Sequence, residues 1–466
     1  MTDDRRMTGA NVATGTAVVV PSRAGDHRRR ARAARALLVA AGANVGVVLA
    51  LALARAPVDL PQPGGLALWL GRLTGLLAEV LVLGQLLLSA RVPVLERAAG
   101  QDQLLRWHRT MAPLALVCVL LHPLLLAASY TASGGGGLWS ELWTTGTSYL
   151  DASAGAALFL TMGAVSVRWV RARMPYESWY VLHLTAYAAV GLAFGHQLSA
   201  SSEVLHGIVV RTWWIAQLVV VVGAIVMFRV LLPVATSLRH RVRVEGVDRH
   251  AGNVVSVRLS GQDLHRLGAQ GGQFFVWRFL TPRDWWRAHP FSLSMAPLEG
   301  QLRFTAREIG GGSRALSRLR PGTRVVVEGP YGVMTDGART RNKAVLIGAG
   351  LGIAPMRALL ADLPADLDTI VVHRAPHRAA AVLHEELENL AKTRRRTKVH
   401  LVAGPRGDHR DPNRPLGRSH LHRLVPDLRS RDVYVCGPPG MAGPLLAELR
   451  GLGVRPAQIH IESFEL

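Results

Sequence analysis

The sequence predicts a multidomain membrane protein: a six-helix transmembrane bundle, then an antiparallel β-barrel domain, then an α/β domain on a parallel sheet. Three observations carry this. Apolar residues, 49% of the 466, pile up between residues 37 and 232 in runs long enough to cross a bilayer. From about residue 236 the texture changes to short strand-like runs broken by glycine. After residue 342, strand and helix patterns alternate. The expected boundaries are a basic, poorly ordered tail over 1–36, a transmembrane domain over 37–235, a barrel domain over 236–338 and an α/β domain over 339–466.

Composition narrows the class. The formal net charge is +22, yet all but three of the basic residues (Lys343, Lys392 and Lys398) are Arg. Ala and Gly are also abundant, which fits biased codon usage. Without aromatic residues interleaved on a basic face, the charge does not indicate a nucleic-acid partner. Two cysteines, Cys118 and Cys436, exclude a disulfide framework and a four-cysteine iron–sulfur cluster on this chain alone.

Six spans are expected, near 37–54, 66–90, 110–130, 151–170, 179–199 and 207–232. The fourth is interrupted near its end by Arg168. Arginines cluster before the first span (Arg28, Arg29, Arg30, Arg32, Arg35) and between the second and third (Arg91, Arg97, Arg106, Arg109). They recur between the fourth and fifth (Arg168, Arg171, Arg173) and after the sixth (Arg239, Arg241, Arg243). The 131–150 connection has none. By the positive-inside rule both termini are cytoplasmic, in a multi-pass protein of the cell membrane. Ala52-Leu53-Ala54 resembles a signal-peptide cleavage box, but the apolar core before it is long for a signal peptide.

Ionisable residues inside spans are expensive and mark function. His108 and His122 lie fourteen residues apart on the third span; His183 and His196 lie thirteen apart on the fifth. At about 1.5 Å per residue this makes two levels roughly 20 Å apart. Two helices each contributing an imidazole at two levels is what a pair of bis-histidine haems needs. Phase supports the third span, where the histidines share a face. On the fifth they fall about 140° apart, which calls for a bulge, for unwinding near Gly191 and Gly195, or for haems approached from different sides. His206 is unpaired and reads as an ordinary residue.

In the barrel domain, "HPFSLS" joins His289, Pro290, Phe291 and Ser292 on an extended backbone suited to a flat ring stacked on Phe291. "REIGGGSRAL" runs from Arg307 through Gly312 to Ser313 and an expected helix start, a place for a pyrophosphate. In the last domain, "KAVLIGAGLGIAPMRALLADL" reads as strand, glycine turn and helix, the context of a phosphate-binding turn, with Gly348, Gly350 and Gly352 followed by Pro355. "DVYVCGPPGM" ends a strand in Cys436-Gly437, at the carboxyl edge where open sheets bind ligands.

With these residues in hand, the chain beyond its tail resembles the ferric reductase and NADPH oxidase superfamily. In that family a six-helix di-haem domain is joined to a ferredoxin–NADP reductase-type module. The match is the ordered set of paired histidines, "HPFS", "GGGS", "VEGPYG" (Val327–Gly332), "GAGLGIAP", "VCGPPGM" and the terminal "IESF". The resemblance implies that His108 and His183 hold an inner b-type haem and His122 and His196 an outer one. It places His289, Phe291 and Ser292 at FAD, and Arg307, Gly312 and Ser313 at its pyrophosphate. The Gly348–Gly352 turn would then hold NADPH or NADH, Cys436 would lie near the nicotinamide, and Phe464 would cover the flavin. Ser292, Cys436 and Phe464 are thus the expected catalytic residues. Departures are His289 where many relatives carry Arg, Ala354 where Thr is common, and two residues after Phe464. Arg374 could pair with a 2′-phosphate and favour NADPH.

The expected activity is transfer of electrons from cytoplasmic NAD(P)H through FAD and two haems to an acceptor outside, either ferric iron, its chelate or dioxygen. The rivals are a membrane donor to an extracytoplasmic partner reductase and a non-catalytic anchor or sensor with a reductase-like domain. The basic tail could meet anionic lipid, or stand as a solvated segment.

Overall fold

The structure is a computed structural model describing residues 23–200, 207–297, 300–308, 313–405 and 414–463. His206, Gly312 and Phe464 lie outside these. The chain opens with helices α1 (Arg23–Asp59), α2 (Gly65–Ser89), α3 (Pro93–Ala99) and α4 (Gln101–Ala132). These are followed by α5 (Leu138–Ser148), α6 (Leu150–Ser166), α7 (Arg168–Arg171), α8 (Tyr176–Ala200), α9 (Ile208–Val226) and α10 (Leu232–His240). The tail expected over 1–36 is helical from Arg23 onward. Its Ala and Arg are strong helix formers, and they extend the first apolar run rather than lead up to it.

Among the described residues, four helical segments are long and apolar enough to cross a membrane: Arg35–Asp59, Gly65–Ser89, Gln103–Ala132 and Ile208–His240. The other two expected spans correspond to α6, apolar but 17 residues long, and to α8. Helix α6 stops at Val167, which is extended (φ −60°, ψ 131°) immediately before Arg168, where the sequence shows the interruption. Within the 131–150 connection the structure has α5, whose Trp139 and Trp143 are both exposed. A π-helical turn, Met227–Leu231, joins α9 to α10.

Helix α10 feeds directly into β1 (Arg243–His250), β2 (Val254–Ser260), β3 (Phe274–Phe279), β4 (His289–Ser292), β5 (Gln301–Arg307) and β6 (Val325–Tyr331). They pair antiparallel as two three-stranded sheets, β1-β2-β5 and β4-β3-β6. Single bridges, Arg243 to Arg324 and Leu293 to Phe304, tie one sheet to the other. Alternating residues face inward and form one core from Val257, Phe275, Trp277, Phe279, Leu293 and Phe304.

The last domain comprises β7 (Lys343–Ala349), α11 (Ile353–Asp362), β8 (Asp368–Ala375), α12 (His384–Lys392) and β9 (Thr397–Ala403). It continues with α13 (Arg418–Leu424), β10 (Asp432–Gly437), α14 (Pro439–Gly451) and β11 (Ile459–Ser463). All five strands are parallel, in the order β11-β10-β7-β8-β9. Strand order reverses between β7 and β10, so their carboxyl ends open the crevice where such sheets bind ligands. Arg303 of β5 and Arg357 of α11 both bond Glu386 of α12, tying the antiparallel and parallel domains together.

Candidate functional site

Two constellations emerge, one among the helices and one where the two sheet domains meet. Helices α2 and α4 run antiparallel. The Nδ1 of His108 lies 3.2 Å from the Gln85 carbonyl, and that of His122 lies 2.8 Å from the Gly71 carbonyl. A carbonyl only accepts, so each Nδ1 carries the proton and each Nε2 keeps its lone pair. A metal-ligating histidine is held this way by its second partner. Gly75 makes room: a Cβ there would come within 2.6 Å of the His122 Nδ1.

His183 of α8 meets His108, with ring centres 6.1 Å apart. Neutral imidazoles this close could together hold one metal ion. His183 also stacks on Trp179 at 5.0 Å, and Arg171 lies over that indole at 4.6 Å. His196 packs against the Tyr149 ring at 4.9 Å. Helix α8 is α-helical throughout. The bulge or unwinding allowed for near Gly191 and Gly195 is therefore not there, and the two imidazoles leave the helix on different sides. Among the described residues no group of three or more His, Cys, Asp or Glu is gathered to hold a metal. Paired histidines suit an ion whose remaining ligands come from a macrocycle. The residues present fit haem.

At the domain junction, β4 pairs with β3 so that Phe274 faces Ser292, Phe275 faces Phe291 and Trp277 faces His289. The Ser292 hydroxyl is buried and has no hydrogen-bond partner among the described residues, an orphan that suits a bound polar group. Phe291 lies parallel to Phe304 (4.9 Å) and to His289 (6.0 Å). The face expected to receive a flat ring is thus already packed against β5. Burial pulls the His289 imidazole below its usual value; Asp284 opposes this, while Arg287 and Arg278 reinforce it. Pro290 is exposed, as is Arg307 at the end of β5. Ser313 opens a 3-10 turn, Ser313–Arg318, rather than an α-helix.

Two of the three glycines in the turn are required by close packing. A Cβ on Gly348 would strike the Ile353 backbone, and one on Gly352 would strike the Cys436 carbonyl. Gly350, at φ +55°, faces open space, leaving the backbone accessible to a phosphate. Pro355 is buried inside α11. Cys436 is fully buried at the end of β10, in register with Gly348 on one side and Glu462 on the other. Gly437 packs close to Met441 and Ala349.

Arg374 departs from expectation. Its guanidinium donates to the carbonyls of Val402 (3.0 Å), Gly404 (2.7 Å), Pro405 (2.7 Å) and Ala375. Those bonds build the turn after β9 instead of presenting charge to a 2′-phosphate.

Gln273 and Phe274, which no motif marked, complete the junction. A Cβ on Gly332 would lie 3.3 Å from Glu462 and 3.4 Å from Phe274, and Gln273 donates to the Gly332 carbonyl. The "VEGPYG" loop, the "HPFS" strand and the terminal strand therefore converge, two residues before Phe464. Only the pairing of distant strands reveals this.

Comparison with known proteins agrees with this division. A family model described as "Ferric reductase like transmembrane component" matches residues 74–194, and "Oxidoreductase NAD-binding domain" matches 346–444. The reductase component of a naphthalene 1,2-dioxygenase system from Pseudomonas putida is 23% identical over 46% of this chain and 68% of its own length. A flavohemoprotein from Chromobacterium violaceum is 31% identical over 41% of this chain, which spans about half (52%) of that protein. Among solved structures, a flavohemoglobin from Malassezia yamatoensis covers 77% of this chain and 97% of its own, at 15% identity and a TM-score of 0.43. A cytochrome P450 reductase from Amycolatopsis covers 48% and 69%, at 21% identity and a TM-score of 0.40. This chain therefore carries a ferric reductase-like transmembrane component followed by an oxidoreductase NAD-binding domain, as its motifs implied.

Proposed function

We propose that the protein is a transmembrane NAD(P)H-dependent oxidoreductase. In this reading it carries electrons from the cytoplasmic face through FAD and two b-type haems to ferric iron, a ferric chelate or dioxygen outside. The reading takes α1, α2, α4, α6, α8 and α9 as six spans, with both termini cytoplasmic, and the two antiparallel sheets as a flavin-binding barrel. One observation carries it: His108 and His183 face each other at 6.1 Å while α2 carbonyls hold the Nδ1 atoms of His108 and His122.

Bound FAD would accept a hydride and give up single electrons, and bound haem would relay them one at a time. The chain's own residues bind, orient and exclude water. His108 with His183, and His122 with His196, would hold the two haems. The Gly348–Gly352 turn would offer backbone N–H groups to a dinucleotide, and the Ser292 hydroxyl would meet the flavin beside Phe274. Cys436 is buried in the core beside Ile353 and Tyr434, and in this reading it would lie near the nicotinamide. The engagement of Arg374 with carbonyls supports a preference between NADPH and NADH set by other residues.

The test is an anaerobic visible spectrum of the full-length protein in detergent, before and after NADPH. The reading requires bleaching of a flavin and reduction of low-spin haem at two equivalents per chain. A protein that binds no haem, or whose haem stays oxidised after its flavin is reduced, would overturn it.

A further inference from the structure

We propose that two crossed ion pairs, Arg91 with Glu328 and Glu177 with Arg287, fix the seam between the flavin-type domain and the helices of the near histidine pair. The inference rests on the redox reading above and adds the residues that set domain register within it.

The first pair lies at the end of α2. Arg91 adopts a left-handed backbone (φ 62°), which an L side chain tolerates only when its surroundings hold it there. Three contacts do so. Its guanidinium lies 3.5 Å from Glu96, 3.9 Å from Glu328 and 4.3 Å above the Tyr331 ring. Glu328 comes from β6 and is only 3% exposed. It also meets Arg278 at 3.0 Å and accepts from the Tyr331 hydroxyl at 3.1 Å, and Arg229 of the π-helical turn interacts with it electrostatically.

The second pair lies at the start of α8. Glu177, in its first turn, sits 3.4 Å from Arg287, two residues before His289. Asp284 fixes the other arm of Arg287 at 3.0 Å. Trp179, two residues beyond Glu177, stacks on His183.

Two features make these contacts more than surface pairs. First, polarity is crossed: the helices present a cation on α2 and an anion on α8, and the sheet domain answers with the reverse. Rotated half a turn, like would face like, so the arrangement specifies one docking orientation. Second, both anchors end on elements of the near pair. Gln85, whose carbonyl holds His108, is six residues before Arg91; His183 is six residues after Glu177. The far pair, His122 and His196, lies roughly 20 Å deeper and shares no such anchor among the described residues.

The experiment uses the full-length chain in detergent with Glu177→Arg, Arg287→Glu, both together, and the milder Glu177→Gln. Two readouts are taken: backbone hydrogen exchange across 177–183 and 284–292, and the separate rates of flavin bleaching and haem reduction after NADPH. Glu177→Arg should leave flavin bleaching within about twofold, slow haem reduction about tenfold and raise exchange in both segments. The double reversal should return both readouts towards the parent, with Glu177→Gln in between. Unchanged exchange and haem reduction in Glu177→Arg, or a double variant no better than its worse parent, would overturn the clamp. Should the parent bind neither flavin nor haem, the redox reading falls, and the exchange comparison still decides the clamp.

Discussion

Ser292 and Arg374 show how far single residues can be read. Ser292 belongs to a motif recognisable in the sequence, and the structure leaves its buried hydroxyl without a partner. Ser292→Ala removes no hydrogen bond to a described residue, so stability should change by less than about 0.5 kcal/mol. Reduction of bound flavin by NADPH should nevertheless slow about tenfold or more, measured by stopped-flow bleaching beside a thermal melt. Arg374 was legible as a cation after a strand, but a sequence does not display which carbonyls a folded turn will leave needing donors. The structure shows several. Arg374→Gln should therefore cost about 1–3 kcal/mol of stability and leave the ratio of NADPH to NADH turnover unchanged. A shifted ratio would restore the 2′-phosphate role.

At the level of elements, the histidine spacing on α4 was readable because fourteen residues nearly complete four turns. What held the rings was not, since Gly71 and Gln85 act through backbone carbonyls that any residue possesses. Gly75 likewise matters for the side chain it lacks. Gly75→Val should displace His122 and remove the far haem alone, halving haem per chain while NADPH still bleaches the flavin. Full haem content would show that the ring is not held as described. Replacing His122 or His196 should similarly preserve flavin reduction and stop electrons from reaching an outside acceptor. Unchanged transfer in both variants would remove the far level from the path. The phase mismatch on α8 needed no irregular helix. Partners on two sides, His108 for His183 and Tyr149 for His196, accommodate it, and a pattern on one helix does not specify where its neighbours stand.

For the whole molecule, the order of domains was visible as changes of texture along the chain, whereas the seam joining them was not. Arg91 and Glu328 are separated by more than two hundred positions, and each alone reads as a surface charge. The seam also carries a pH dependence. Burial pushes the Glu96 carboxyl up to about 7, with Arg91 pulling the other way. Because the folded state binds this proton more tightly than the unfolded chain, stability should fall as pH rises from the ordinary carboxylate range towards 7, then level off. Glu96→Gln should flatten that slope and raise stability above pH 7 by on the order of 1–3 kcal/mol, read from melts at pH 6 and 8. The fourteen-residue interval from Gly71 to Gln85 on α2, matched by the same interval from His108 to His122 on α4, has a wider consequence. It acts as a ruler with two rungs: neither helix can slip, lengthen or shorten by a residue between the marks without unseating one of the rungs. Under the proposed function, the distance an electron would cross between the two levels is thus written into a count of residues, which drift in individual side chains leaves untouched.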